Sequence, residues 1–153
     1  MTPAIRYLKQ IGAEFKIHTY DCHVTDDFGK HCAEQLHMDE NKIFKTLLIH
    51  HDKISATAII PVNRRLNLKQ AAKAAGMKNA EMMRPEDAER QTGYKVGGIS
   101  PFAQKKQILT LLDSSAFQQE TILVSGGKRG VSIEITGKDL LEILSGSLTA
   151  ITD

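Results

Sequence analysis

Apolar and polar positions along the chain change period several times, and each change marks a short helix or strand. Near the start, Ile5, Leu8 and Ile11 fall on one helical face. Thr2 can cap that helix, Pro3 suits its first turn, and Gly12 ends it. Phe15, Ile17 and Thr19 then alternate with Lys16, His18 and Tyr20, the period of a strand with one wet face. Tyr20 falls on the wet side, where its hydroxyl can look into a cleft. After the polar stretch Asp21–Asp27, the positions Phe28, Cys32 and Leu36 form a helical stripe that Asp27 can cap.

The middle of the chain is more apolar. Lys45–His50 and Ile54–Val62 flank His51-Asp52-Lys53, which predicts a hairpin placed centrally in a sheet. Lys45 is the odd member, a cation at the head of an otherwise buried strand; it either snorkels to solvent or serves a site. Asn67 opens a helix over Leu68–Ala75 that Gly76 stops, with Ala71, Ala72 and Ala75 giving a face for close packing. Pro85 starts another, with Glu86 and Asp87 in its first turn and Gly93 at its end. Ile108–Leu112, Thr121–Val124 and Val131–Ile135 read as strands. A last helix is capped by Thr136 with Asp139 as partner, shows Leu140, Leu141 and Leu144 on one face, and closes at Gly146. Helices and strands intermix without a linker or repeat. The expected architecture is one mixed α/β domain, residues 1–153, around a single strongly curved sheet.

Composition narrows the class. The chain has 153 residues, 41% hydrophobic and 25% charged, as an ordinary globular domain does. No apolar run approaches the ~18 residues of a membrane span, and no signal-peptide pattern opens the chain, so no membrane partner is expected. Cys22 and Cys32 lack the Cys-x-x-Cys spacing, which points to a reduced, cytoplasmic setting. A net charge of +2 does not announce nucleic acid by itself. The cations are nevertheless clustered, at Arg64-Arg65 with Lys69 and Lys73, at Lys105-Lys106 and at Lys128-Arg129, where they can meet phosphates locally.

Two loops fit neither period. Thr92–Pro101 holds three glycines and a proline, and its Gly97-Gly98 pair removes two β-carbons from one surface. Ser125–Gly130 repeats the arrangement with Lys128 and Arg129 attached. Each is either an ordinary turn or the wall of a site. Neither matches a P-loop or a dinucleotide fingerprint, so nucleotide hydrolysis is not supported. Six histidines show no zinc-ligand spacing, and neither metal nor cofactor is expected. Cys22 with His18 or His23 is a formal nucleophile pair without a supporting signature, and Cys32 reads as core. What remains is main-chain N–H groups and cations with no acid–base dyad, an inventory suited to holding a carbonyl or phosphate oxygen.

In chain order, His18-Thr19-Tyr20, Lys45-Thr46 at the head of an apolar strand, Thr92-Gly-Tyr-Lys-Val-Gly-Gly-Ile-Ser-Pro101 and Val124-Ser-Gly-Gly-Lys-Arg-Gly130 resemble the YbaK family. Its members are aminoacyl-tRNA deacylases related to the editing domain of bacterial prolyl-tRNA synthetase. The likeness runs from Thr2 to about Leu144 and is nearer to the Cys-tRNA(Pro) deacylases than to the alanine-specific ones. It implies a barrel-like sheet with surrounding helices and one pocket for the aminoacylated end of tRNA(Pro). It also implies a trans-editing role in company with prolyl-tRNA synthetase. Lys45 matches the family's essential lysine, proposed to hold the terminal-adenosine phosphate or position the ester. Tyr20, Phe28 and Thr46 match pocket-lining positions. Gly97 and Gly98 fall where backbone amides meet the substrate carbonyl, and Ser125, Gly126 and Gly127 where a second loop closes the pocket. Lys128 and Arg129 are the cations expected to meet tRNA. Ala103 stands where the family pattern has glycine, and Ser132, near the substrate side chain, where close relatives often have aspartate. The reaction implied is cleavage of the ester of Cys-tRNA(Pro), with Cys-tRNA(Cys) as a further substrate, by attack of the substrate's own thiol on its carbonyl, the product being either a thiolactone or the hydrolysed free amino acid. The rival readings are a deacylase for another small amino acid such as alanine, a non-catalytic module binding tRNA or a synthetase, and a thiol-dependent hydrolase using Cys22.

Overall fold

The computed structural model describes residues 1–153. In chain order the elements are α1 (Pro3–Gln10), β1 (Lys16–Thr19), α2 (Phe28–Leu36), β2 (Phe44–His51), β3 (Ile54–Pro61), α3 (Leu68–Ala75), β4 (Glu81–Met82), α4 (Pro85–Thr92), β5 (Leu109–Asp113), β6 (Ile122–Lys128), β7 (Val131–Ile135), α5 (Gly137–Leu144) and β8 (Ser147–Thr149). The β2–β3 hairpin is antiparallel in unbroken register from Phe44–Pro61 to His51–Ile54, and its turn is made by Asp52 at φ 51°. β5 joins β3 in parallel, β8 joins β5, and β4 touches only the far end of β2, giving the order β4-β2-β3-β5-β8. A second, antiparallel sheet has the order β1-β7-β6.

The mixed α/β class is as expected, but the sheet does not close into a barrel. Two sheets meet edge to edge at one parallel bridge, Ile43 with Leu123. Beyond that bridge β6 shifts register between Ser125 and Lys128, where Gly126 and Gly127 sit and Gly127 takes φ 110°. A bulge of this kind bends its strand, and β6 leaves β2 instead of continuing to pair with it. A wedge opens between the two strands.

Helix ends follow side-chain chemistry. Thr2, Asn67 and Thr136 accept the backbone N–H groups of Ile5, Gln70 and Asp139 at 3.2, 3.0 and 3.1 Å. Asp27 does not cap α2; it makes no capping bond and sits at φ 47°. Ile11 lies past the end of α1 and is 47% exposed, and α5 ends on Ser145 at φ 50° instead of Gly146. No helix is long and apolar enough to cross a membrane.

Apolar residues fill both sides of the five-stranded sheet. Phe44, Leu48, Ile59 and Leu112 join Leu8, Phe102, Ile122, Ile133 and Leu140 in the larger core, between the sheets and beneath α1, α4 and α5. On the opposite face Ile49, Ile60 and Leu111 pack with Ala71 and Ala72 of α3. Alternation along β2 therefore sends Phe44, Thr46 and Leu48 to one face and Lys45, Leu47 and Ile49 to the other.

The expected wet face of β1 is covered only in part: Lys16 is exposed, while His18 and Tyr20 are partly buried. Ile17 stands on the core face but on an edge strand, which leaves it 43% exposed. On the other face His18 Nε2 lies 2.7 Å from Glu134 Oε1, and Lys42 Nζ lies 3.0 Å from Oε2, with Thr121 donating to the same carboxylate. This cluster ties the segment leading into β2 to the second sheet. The hydrogen bond from Thr121 and those from His18 and Lys42 pull Glu134 down from 4.5 to about 2, against a smaller opposing effect of burial. The stability this carboxylate contributes is present above pH ~4.5 and is lost as pH falls toward 2. Glu134→Gln should cost about 1–3 kcal/mol at neutral pH. In thermal denaturation across pH 2–7 the gap between variant and parent should close in acid; a constant gap would contradict the assignment.

Candidate active site

The wedge between β2 and β6 is a cavity of about 420 Å³. Its walls are Lys45, Thr46, Leu47 and Leu48 of β2, Phe28, Gly29 and Cys32 of α2, and Val124, Ser125, Val131 and Ser132 of the smaller sheet. Val96, Gly97 and Ile99 of the glycine loop, Met82, Met83, Pro85 and Ala88, and Tyr20, Ile43, Val62 and Leu123 with the charged Asp27 and Lys30 complete them. Consecutive β2 residues point to opposite faces, yet all four line the cavity, so it wraps the outer edge of that strand.

Lys45 is the cation of this space that comes from the sheet itself. It is half-buried and has no carboxylate partner within 4 Å. Burial lowers its pKa from the usual 10.5, since desolvation disfavours the ammonium form. An ammonium in low-dielectric surroundings attracts an oxyanion more strongly than one in water.

Another wall is polar but neutral. Buried Cys32 and Ser132 approach to 3.5 Å between Sγ and Oγ, and Tyr20 lies beside them. Burial, and then the neighbouring Cys32, raise the Tyr20 phenol well above its ordinary 10, so it stays protonated as a donor. His18 is held by Glu134, and Cys22 is outside the lining, so the two do not form a catalytic pair there. No three His, Cys, Asp or Glu side chains converge as metal ligands.

The two glycine segments lock together, and the second is less of a loop than expected: Ser125–Lys128 belong to β6 and only Arg129 and Gly130 form the turn to β7. A β-carbon on Gly98 would lie 2.6 Å from Lys128 Cα and 2.9 Å from Arg129 N, so the group that approaches Gly98 is the backbone of the second loop. Its own N–H donates to Lys95 C=O at 2.8 Å. Gly97, at φ 89°, faces the Phe28 ring and Arg129 and lines the cavity. Arg129 Nε donates to Val96 C=O at 3.1 Å, while its guanidinium stacks 4.5 Å from the centre of the Phe28 ring. Thr2, the cap of α1, also donates to Gly126 C=O and packs against Gly127. Tyr94 O–H donates to Phe102 C=O at 2.6 Å, and burial raises that phenol to about 12. Ala103 takes φ 56°, the left-handed conformation that glycine adopts more easily.

Of the residues singled out from the sequence, Tyr20, Phe28, Lys45, Thr46, Gly97, Ser125 and Ser132 meet around the cavity. Gly98, Gly126, Gly127, Lys128 and Arg129 lie behind or beside its wall, where the first three shape the loops and Arg129 bridges them. Met82 and Met83 were not foreseen, because a two-residue strand carries no period. Cys32 shows as core in its helical stripe, and no sequence signal distinguishes a cavity wall from a core there.

Three comparisons bear on this site. Residues 25–143 match the model of the aminoacyl-tRNA editing domain. An Enterococcus faecalis protein described as a candidate Cys-tRNA(Pro)/Cys-tRNA(Cys) deacylase, EbsC, is 38% identical over 99% of this chain and 93% of its own length. The Bacillus subtilis protein YwhH is 28% identical over 72% of this chain and 70% of its own. Among solved structures, a candidate trans-editing enzyme for prolyl-tRNA synthetase shares the fold with a TM-score of 0.88 at 20% identity, covering 100% of this chain and 98% of that one.

The loop contacts give a direct expectation. Gly98→Ala should drive the loops apart and cost about 1–3 kcal/mol in denaturant unfolding. An unchanged midpoint and slope would show that the loops are not locked at this position.

Proposed function

The chain belongs to the aminoacyl-tRNA editing domain family and is an aminoacyl-tRNA deacylase; on that basis we propose that it clears Cys-tRNA(Pro), acting in trans beside prolyl-tRNA synthetase. The observation that carries this reading is Lys45, a partly desolvated cation with no carboxylate within 4 Å, in a cavity where Cys32, Ser132 and Tyr20 form a neutral wall and Asp27 and Lys30 also take part in the lining. A phosphate or ester oxygen of the tRNA end supplies the negative partner that Lys45 lacks. A small, uncharged amino-acid side chain suits the Cys32–Ser132 wall, and the 38% identity to EbsC favours cysteine.

An aminoacyl ester is already activated, so the site needs no strong nucleophile of its own. The cysteinyl sulfur attacks its own carbonyl carbon and an S–C bond forms. The ester C–O bond breaks, the thiol proton ends on the departing ribose hydroxyl of the tRNA, and cysteine leaves as a thiolactone. The protein contributes orientation, and it stabilises charge on the carbonyl oxygen through Lys45 and backbone N–H groups at the cavity, of which Gly97 is one candidate. These effects are worth several kcal/mol in pre-organised sites. Larger amino acids are excluded by size, at ~1–3 kcal/mol per methylene.

Lys45→Met tests the assignment. Because burial lowers the lysine pKa, its charged form weakens the fold below that pKa, and the penalty fades as pH rises through it. The variant should therefore melt at the same or a higher temperature near pH 7, while kcat on Cys-tRNA(Pro) falls by about 10²–10³. Full activity would remove Lys45 from the site. Across Cys-, Ala-, Ser- and Pro-tRNA the cysteinyl ester should be cleaved fastest; equal rates on the alanyl ester would overturn the cysteine assignment. Binding of charged tRNA without turnover would favour the non-catalytic module, and inactivation by Cys22→Ser the thiol hydrolase.

A further inference from the structure

One length of the outer edge of β2 is bridged to no other strand. Val62 N–H donates to Ile43 C=O at 2.9 Å, so Ile43, and with it Lys45 and Leu47, direct their main-chain groups toward β3. Phe44, Thr46 and Leu48 direct theirs to the outer edge. Beside Phe44 that edge meets β6 at the Ile43–Leu123 bridge, and at Leu48 the C=O accepts Met83 N–H at 2.9 Å. Between these two contacts Thr46 forms no bridge to a neighbouring strand, because β6 bridges only at Ile43 and β4 reaches only Ile49 and His50. The gap is one residue long and faces the cavity.

A second observation falls on the same residue. Thr46 Oγ1 is buried without a hydrogen-bond partner, and no other side-chain N or O atom of the fold is in that position. An orphaned buried hydroxyl is unfavourable. Valine would fill the same volume without it, so packing alone does not explain a threonine here.

We infer that the aminoacyl group docks on this edge as a one-residue strand. An aminoacyl ester carries a donor, its α-ammonium, and an acceptor, its carbonyl oxygen, in the relation that one residue of an antiparallel pair requires. Thr46 N–H donates to the substrate carbonyl oxygen, where negative charge develops as the ester is attacked. Thr46 C=O and Oγ1 accept from the α-ammonium. The ester then lies along β2 next to Lys45. This goes further than the deacylase reading and rests on it. It assigns a carbonyl donor on the strand as well as in the glycine loop, where the Gly98 N–H is already used by Lys95 C=O.

The test uses the full chain and a non-cleavable probe, 3′-deoxy-3′-(cysteinylamino)adenosine. In ¹⁵N NMR at saturation the Thr46 amide should shift and its hydrogen exchange should slow. Thr46→Val should raise Tm by about 2–4 °C and lower kcat/KM on Cys-tRNA(Pro) about tenfold. An adenosine ester of 3-mercaptopropionate, which lacks the amine, should be cleaved at least tenfold more slowly than the cysteinyl ester. If the probe saturates the cavity, moving the Gly97 amide, while Thr46 stays unmoved and Thr46→Val keeps the parent rate, the docking position is overturned and the deacylase reading stands. If the parent protein cleaves no aminoacyl-tRNA and the probe leaves the spectrum unchanged, both fall.

Discussion

The Ile43–Leu123 bridge joins the two sheets at one point and lets them diverge beyond it. Most of the candidate site follows from that junction. If β6 had continued alongside β2, the outer edge of β2 would be paired and its side chains buried in a continuous sheet. The Ser125–Lys128 irregularity turns β6 aside, and the wedge it leaves is the cavity. The cavity is thus a consequence of strand geometry, with walls formed by regular elements and by the Val96–Ile99 loop, against the cores on both faces of the larger sheet.

The glycine loops keep the wedge open at a fixed width. Gly98 against the Lys128–Arg129 backbone, Arg129 spanning from Val96 to Phe28, and Thr2 reaching from the α1 cap to Gly126 join four segments far apart in sequence. Each contact is short-range and depends on a missing β-carbon or a single donor, so small substitutions should act over the whole rim. Lys45 is then held half-buried with no carboxylate within 4 Å, although Asp27 lines the same cavity. A desolvated charge of this kind is unfavourable for the fold and useful to an enzyme whose substrate supplies the counter-charge.

Much of this was legible in the sequence because local chemistry decided it. The caps at Thr2, Asn67 and Thr136, the hairpin around Asp52, and α3 ending at Gly76 all rest on interactions within a few residues. Lys45 stood out as a cation in an apolar strand, and the glycine loops by composition. What could not be read depends on partners distant in the chain. The Lys128–Arg129 backbone, not an outside molecule, fills the space beside Gly98. Glu134, itself paired with Lys42, covers His18 on the face of β1 that alternation marked as wet, and leaves Lys16 exposed. Sheet closure is likewise invisible to periodicity, since an open wedge and a closed barrel show the same alternation along each strand.

The account makes the unpaired ammonium of Lys45 the feature that receives the substrate. The most direct measurement is an NMR titration of the Lys45 ε-methylene, first in the free protein and then with a 5′-phosphorylated, non-cleavable cysteinylamino-adenosine bound. The account predicts a midpoint below the usual 10.5 in the free protein, from burial, and a rise on binding as an anionic partner arrives. An ordinary midpoint that binding does not move would contradict it.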